Sequence, residues 1–268
     1  MRGAGVSSRG GRGVDGGHPQ PPETRRVITL THGMVLAAGL GLRMRPLTDA
    51  TAKPLLTLDG RTLLDHALDR LAAAGIGQAV VNAHWCADQV AAAVAGRDSP
   101  RIALQREDAL LETGGGVARA LPLLGDGPFA VANGDSVWLD GPRQALGRMA
   151  AAFDPAQMDA LLLVVRSAQV DGDIGRGDFL LDPLGRVRRP RERELAPYVF
   201  AGVQILTPGM FRNTPGGKFS LNILYDRAID SGRLFALVHD GVWFHLSTPP
   251  DLDRAEAALR AGLVRALF

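Results

Sequence analysis

From residue 33 onward the chain alternates short apolar runs with amphipathic stretches, a pattern that restricts it to a mostly parallel sheet flanked by helices. Residues 34–38 (MVLAA) read as the first strand, and a glycine-rich loop follows. Over residues 62–74, Leu63, Leu64, Ala67, Leu68 and Leu71 fall on one helical face, with Gly75 as the stop. The series continues with a strand at 78–84, a helix at 87–95, a strand at 101–105, a helix at 116–124 and a strand at 128–135 that ends in polar residues. A helix at 143–153 and a strand at 159–166 come next. The segments GDF, GRV and YVFAGVQIL read as antiparallel strands of a small sub-sheet. A helix at 221–231, strands at 234–238 and 242–246, and a helix at 251–266 close the chain. The expected class is α/β: a Rossmann-like mixed, mostly parallel sheet with flanking helices and a small antiparallel sub-sheet.

Residues 1–26 are rich in Gly, Pro and Arg and nearly empty of large apolar side chains, so they lack the surface whose burial offsets the entropy of ordering. The expected division is a disordered tail over residues 1–33 and one folded domain over 34–268, with Met34 a candidate start. Five arginines against Asp15 and Glu23 give that tail a charge of +3, while the chain as a whole carries +2. The folded part therefore offers no basic surface for a nucleic acid, and no zinc-finger or RNA-binding aromatic motif is present. No apolar run approaches the roughly 20 residues of a membrane span, and the start lacks a secretory apolar stretch, so the expected location is the cytoplasm. Cys86 is the single cysteine and reads as a buried, inert thiol; no Cys/His cluster has zinc-ligand spacing.

The segment LAAGLGLRMRPLTDATAKPLL, residues 36–56, carries the strongest chemical signal. Gly39 and Gly41 permit positive φ and close backbone approach, which makes a nest for polyphosphate oxygens, and Arg43 behind them can grip phosphate with a bidentate fork. Lys53 is one of two lysines in a chain otherwise charged with arginine. The loop lacks the Gly-Lys-Ser/Thr ending of a Walker motif, and Met44 stands where a dinucleotide fingerprint needs a third glycine. A plain glycine-rich turn is the alternative reading.

Together, LAAGLGLRMRPLT and AKPLL resemble the signature of the sugar-phosphate nucleotidyltransferases, in which a Gly-x-Gly-x-Arg loop precedes Pro-Lys-Pro; here Ala52 replaces the first proline. LETGGG (111–116), NGD (133–135), GRGDF (175–179) and FAG (200–202) agree in order and spacing, so the likeness covers nearly all of residues 34–260. LETGGG and GRGDF most resemble the N-acetylmuramate-1-phosphate uridylyltransferases, with the mannose-1-phosphate guanylyltransferases next.

The resemblance implies a magnesium-dependent transferase that joins a nucleoside triphosphate to a sugar 1-phosphate and releases pyrophosphate. By the same resemblance, Leu36, Ala37, Ala38, Gly39 and Gly41, with Glu107, Gly114, Gly115 and Asn133, hold the nucleotide. Arg43 and Lys53 act on its phosphates, Asp135 binds Mg²⁺, and Gly177, Asp178 and Gly202 meet the sugar over the sub-sheet. A structural turn is an equal reading of Gly177. The family usually completes its metal site with an aspartate in a Trp-x-Asp-x-Gly-Thr segment, whereas this chain reads Trp243-Phe-His-Leu-Ser-Thr248. His245 thus stands as a candidate metal ligand, a substrate contact or a structural residue, and imidazole favours Mn²⁺ over Mg²⁺. Other base and sugar pairs, and a non-catalytic homologue that binds nucleotide or sugar, are the competing readings.

Overall fold

Strands covered on both faces need apolar side chains at nearly every position, and the runs above meet that need. A computed structural model describes Met1, Gly3 and residues 27–262. In chain order the elements are strand β1 (His32–Leu36), hairpin strands β2 (Thr57–Leu58) and β3 (Arg61–Thr62), helix α1 (Leu63–Ala73), β4 (Gln78–Ala83), α2 (Ala87–Val94), β5 (Arg101–Arg106), α3 (Glu112–Ala120), β6 (Phe129–Asn133) and β7 (Val137–Leu139). They continue with α4 (Ala145–Ala152), β8 (Ala160–Arg166), β9 (Leu180–Leu181), β10 (Val187–Arg188), β11 (Tyr198–Leu206), α5 (Asn222–Asp230), β12 (Leu234–Val238), β13 (Val242–Phe244) and α6 (Pro249–Arg260). Among the described residues no helix is long and apolar enough to cross a membrane.

The central sheet has the strand order β12-β8-β11-β6-β1-β4-β5. Its pairs are parallel except around β11, which runs antiparallel to both β6 and β8. Successive side chains of a strand point to opposite faces. Leu161, Leu163 and Val165 of β8 accordingly join the core under α1, α2 and α4, while Ala160, Leu162 and Val164 join the core under α3 and α5. A third cluster, built on Leu58, Leu63, Val137, Phe244, Leu246 and Ala255, ties the β2–β3 hairpin and the β7–β13 pair to α6. Helix α1 starts where the Thr62 hydroxyl accepts the Asp65 N–H at 3.0 Å, and buries Leu63, Leu64, Leu68 and Leu71. Each of those leucines contributes about 1.5–3 kcal/mol.

Four sequence expectations are corrected. The first strand begins at His32, not Met34, and the proposed boundary at residue 33 falls inside it. Gly33 is a packing position there, since a Cβ would lie 3.1 Å from Leu71 Cδ1, and Leu30 ahead of it is buried. Helix α3 begins at Glu112 rather than 116, because Gly114 and Gly115, placed ahead of the expected helix, serve as a helix face in close contact with residues 217–219. The run at 198–206 belongs to the central sheet, where both its faces are buried; the separate antiparallel pair is β9 with β10, and Phe179 of GDF makes an isolated bridge to Tyr198. The last helix is observed at Pro249–Arg260. Residues 263–266 of its expected span, and residues 2 and 4–26 of the expected tail, lie outside the described residues.

From β1 the chain builds outward through β4 to β5, then returns to the other side of β1 as β6. Open α/β sheets bind ligands at such a reversal, beyond the carboxyl ends of the strands. Leu36, Asn82 and Asn133 stand at or near those ends.

Candidate active site

At the end of β1 the backbone turns out of the sheet, and its first free N–H, on Ala37, donates to Asn82 Oδ1 at 2.8 Å. Gly41 has φ +62°, and a Cβ there would lie 3.0 Å from Lys53 Cβ and 3.1 Å from Thr48 Cγ2, so both conformation and space require glycine. Its carbonyl accepts the Thr48 hydroxyl at 2.8 Å and the Met44 N–H at 2.9 Å, which closes the turn Leu42–Met44. Met44 is buried under that turn and Arg43 is exposed on its outer side. A second turn, Lys53–Leu55, presents the Lys53 ammonium to Asp135 Oδ2 in an ion pair. The lysine side chain is 12% exposed and the carboxylate 34%, so the pair lies at a cavity wall rather than in the core.

Leu36, Ala38, Gly39, Gly41, Arg43, Lys53, Asn133 and Asp135 line one cavity of about 600 Å³. Its far wall carries Leu110, Glu112, Thr113 and Ser220. A second cleft of about 440 Å³ is lined by Asp173, Ile174, Asp178, Phe200, Gly202, Trp243 and His245. Arg43, Asn133, Asp135 and Ser247 line both spaces. Two clefts joined at a guanidinium, an amide, a carboxylate and a hydroxyl, with an ammonium beside them, can hold two anionic ligands end to end and neutralise charge where they meet.

Asp178 and Gly202 stand together in the second cleft. The Asp178 carboxylate accepts the Phe200 N–H at 2.8 Å, and Gly202, with φ +76°, sits at the irregularity in β11 where a Cβ would collide with Ser136 Oγ at 2.0 Å. Gly177 is outside both spaces: a Cβ there would lie 2.2 Å from the Ala196 carbonyl oxygen, which fits the turn reading. Gly114 and Gly115 are outside as well. Their N–H groups donate to the Phe219 carbonyl at 2.9 and 3.0 Å, and a Cβ at Gly115 would lie 2.2 Å from the Gly217 carbonyl oxygen. These two glycines let α3 dock on the segment before α5, which brings Glu112, Thr113 and Ser220 to the cavity. Glu107 is 4% exposed and lies behind the wall, bonded to Asn82, Gln105 and the Leu111 N–H.

His245 lines the second cleft with its ring 5.7 Å from that of Trp243. Burial holds its imidazole below its ordinary pKa, with Arg43 and Lys53 acting in the same sense and Asp251 and Asp135 opposing. The ring is therefore held toward its neutral form. Among the described residues no three His, Cys, Asp or Glu side chains come close enough to form a metal cage, although Asp135 and His245 share the cleft. Residues not anticipated from the sequence are Asn82, Glu112, Thr113, Ser220 and Ser247. Asn82 had a legible signal, a lone amide near the end of the otherwise apolar run QAVVNA; the others are brought in by packing across 100 residues and more.

The MobA-like NTP transferase domain matches residues 33–200. The chain is 43% identical to the N-acetylmuramate alpha-1-phosphate uridylyltransferase of Caulobacter vibrioides over 231 residues, 84% of this chain and 96% of that one. It is 38% identical to the enzyme of the same name from Neisseria meningitidis serogroup B over 228 residues, with the same shares. The inositol-1-phosphate CTP transferase of T. maritima superposes with a TM-score of 0.70 at 18% identity, covering 88% of this chain and 99% of that one, and shares the fold.

Proposed function

This chain belongs to the MobA-like NTP transferase family, and on that premise we propose that it transfers the uridylyl group of UTP to N-acetylmuramate 1-phosphate, releasing pyrophosphate. Two relatives of that name, each matched over nearly its whole length, support the choice of base and sugar. The observation that carries the reaction type is the pair of adjoining clefts that share Arg43, Asn133, Asp135 and Ser247. The nucleotide lies in the larger cavity, its triphosphate along Ala38–Gly41 toward Arg43 and Lys53. The sugar lies in the second cleft, against Asp178 and Gly202.

A phosphate oxygen of the sugar 1-phosphate attacks the α-phosphorus in line. The new P–O bond forms as the bond to the β-phosphate oxygen breaks, and pyrophosphate leaves with that electron pair. No protein nucleophile or general base is required, because the attacking oxygen is already ionised. The protein's share is orientation and charge. Arg43 grips the departing phosphates with its planar fork, and Lys53, released from Asp135 by the incoming phosphates, stabilises charge beside the reacting centre.

One half-exposed carboxylate beside phosphate sites suits Mg²⁺, which keeps several waters and takes one or two protein carboxylates with substrate phosphates. Asp135 would hold such a cation, with His245 as the second candidate ligand and a bias toward Mn²⁺. When bound, the cation neutralises phosphate charge and polarises the α-phosphorus. We place the reaction in the cytoplasm.

The test is pyrophosphate release, scanned over the four ribonucleoside triphosphates and dTTP against a panel of sugar 1-phosphates, with Mg²⁺ and Mn²⁺ in parallel. The highest kcat/KM is expected for UTP with N-acetylmuramate 1-phosphate. A higher value for another base or sugar would reassign the substrates, and binding of nucleotide without turnover in any pair would make the chain a non-catalytic homologue.

A further inference from the structure

Asn82 is 2% exposed near the end of β4, and both ends of its amide are engaged. Its Oδ1 accepts the Ala37 N–H at 2.8 Å, where the phosphate loop leaves β1, and its Nδ2 donates to Glu107 Oε1 at 2.8 Å. The same Oε1 accepts Gln105 Nε2 at 3.3 Å, and Oε2 accepts the Leu111 N–H at 3.2 Å. Gln105 Nε2 also reaches the Gly116 carbonyl at 3.0 Å. A Cβ on Gly116 would lie 2.9 Å from Asn82 Nδ2 and 3.1 Å from Glu107 Oε1, so the third glycine of LETGGG makes room for this network.

The network connects the two walls of the larger cavity. One end fixes the root of the loop carrying Gly39, Gly41 and Arg43; the other fixes Leu111, next to Leu110 and Glu112 on the far wall. A buried carboxylate is tolerable only when its oxygens are satisfied, and here three donors do that with no cation bonded to it among the described residues. Such a group is costly to misplace and therefore holds its donors in one arrangement.

We propose that Asn82 and Glu107 are positioning residues that set the width of the nucleotide cavity, Glu107 acting through Asn82 and Leu111 and not by touching the nucleotide. The inference rests on the reading that this cavity holds the triphosphate. It makes the Glu107 carboxylate a determinant of nucleotide affinity from behind the wall, and it couples the phosphate loop to the wall that faces the rest of the nucleotide.

A reciprocal exchange tests it. In Asn82→Asp, a carboxylate oxygen would oppose Glu107 Oε1; in Glu107→Gln, an amide nitrogen would face either Asn82 Nδ2 or the Leu111 N–H. The double variant restores complementarity: the carboxylate introduced at position 82 accepts from the Ala37 N–H and from the amide introduced at position 107, whose oxygen accepts from the Leu111 N–H. Only the longest bond, from Gln105, is not rebuilt. Each single variant is expected to raise the Kd for UTP by about tenfold, the cost of one unpaired buried group, while leaving the KM for the sugar 1-phosphate unchanged. The double variant is expected to return within about threefold of wild type, the signature of direct coupling in a double-mutant cycle. Folded single variants that bind UTP like wild type, or a double variant as weak as the product of the singles, would overturn the inference while leaving the transferase reading intact. Failure of the wild-type protein itself to bind UTP would overturn both.

Discussion

Lys53 and Asp135 neutralise each other in a pair at the wall of the larger cavity, the lysine side chain 12% exposed and the carboxylate 34%. Its value lies in where it places charge. Lys53→Ala is expected to lower kcat by about 10²–10³-fold, the range for removing one preorganised electrostatic group, in a protein that still folds. Turnover near the wild-type value in that variant would remove Lys53 from the mechanism. At Gly115 the expectation runs the other way. Gly→Ala in a helix ordinarily stabilises by about 1 kcal/mol. Here the new Cβ would meet the Gly217 carbonyl oxygen, and Gly115→Ala should destabilise by about 1–3 kcal/mol in urea unfolding. A stabilised variant would show that the contact between α3 and residues 217–219 yields easily. Arg43 stood out in the sequence as a charge behind a glycine loop, and Lys53 and Asp135 through the resemblance; the fold brings all three to one cavity. Gly114 and Gly115 of LETGGG stand at the start of α3 and admit the backbone of residues 217–219, which the sequence did not show, since a glycine that admits a ligand and one that admits a neighbouring backbone look the same in one sequence.

At the level of elements, α6 links stability to the site. Its capping box joins Thr248 to Asp251, whose carboxylate accepts the Ser247 N–H at 3.0 Å, the Thr248 N–H at 2.7 Å and the Thr248 hydroxyl at 2.8 Å. Ser247 is one of the residues shared by the two clefts, so the cap of this helix also fixes their junction. Burial pushes the Asp251 carboxyl up, but these hydrogen bonds and the nearby His245 outweigh it and hold the group below its ordinary value of 3.8. A depressed carboxylate stabilises the fold above the unfolded pKa, and that contribution disappears as pH falls through the folded one. Asp251→Asn is therefore expected to cost about 1 kcal/mol near pH 7 and less near pH 3, read from urea midpoints. An equal loss at both pH values would contradict this account of the cap. Most elements were legible within a residue or two, because apolar runs buried on both faces and the face of α1 leave strong periodic signals. The placement of β11 was not: its nine-residue run fits a central strand as well as a sub-sheet, and only the pairing partner decides.

For the whole molecule, the order of strands creates the reversal beside β1, and the antiparallel β11 with the β7–β13 pair adds the second cleft next to the first. One sheet thereby presents a nucleotide space and a sugar space that share a charged boundary. The measurement closest to that claim is pyrophosphate release by the wild-type protein with UTP alone, N-acetylmuramate 1-phosphate alone, and both together. The account predicts release only with both present, in equal amount with the nucleotide sugar formed. Release from UTP alone, or none with both while UTP still binds, would contradict it.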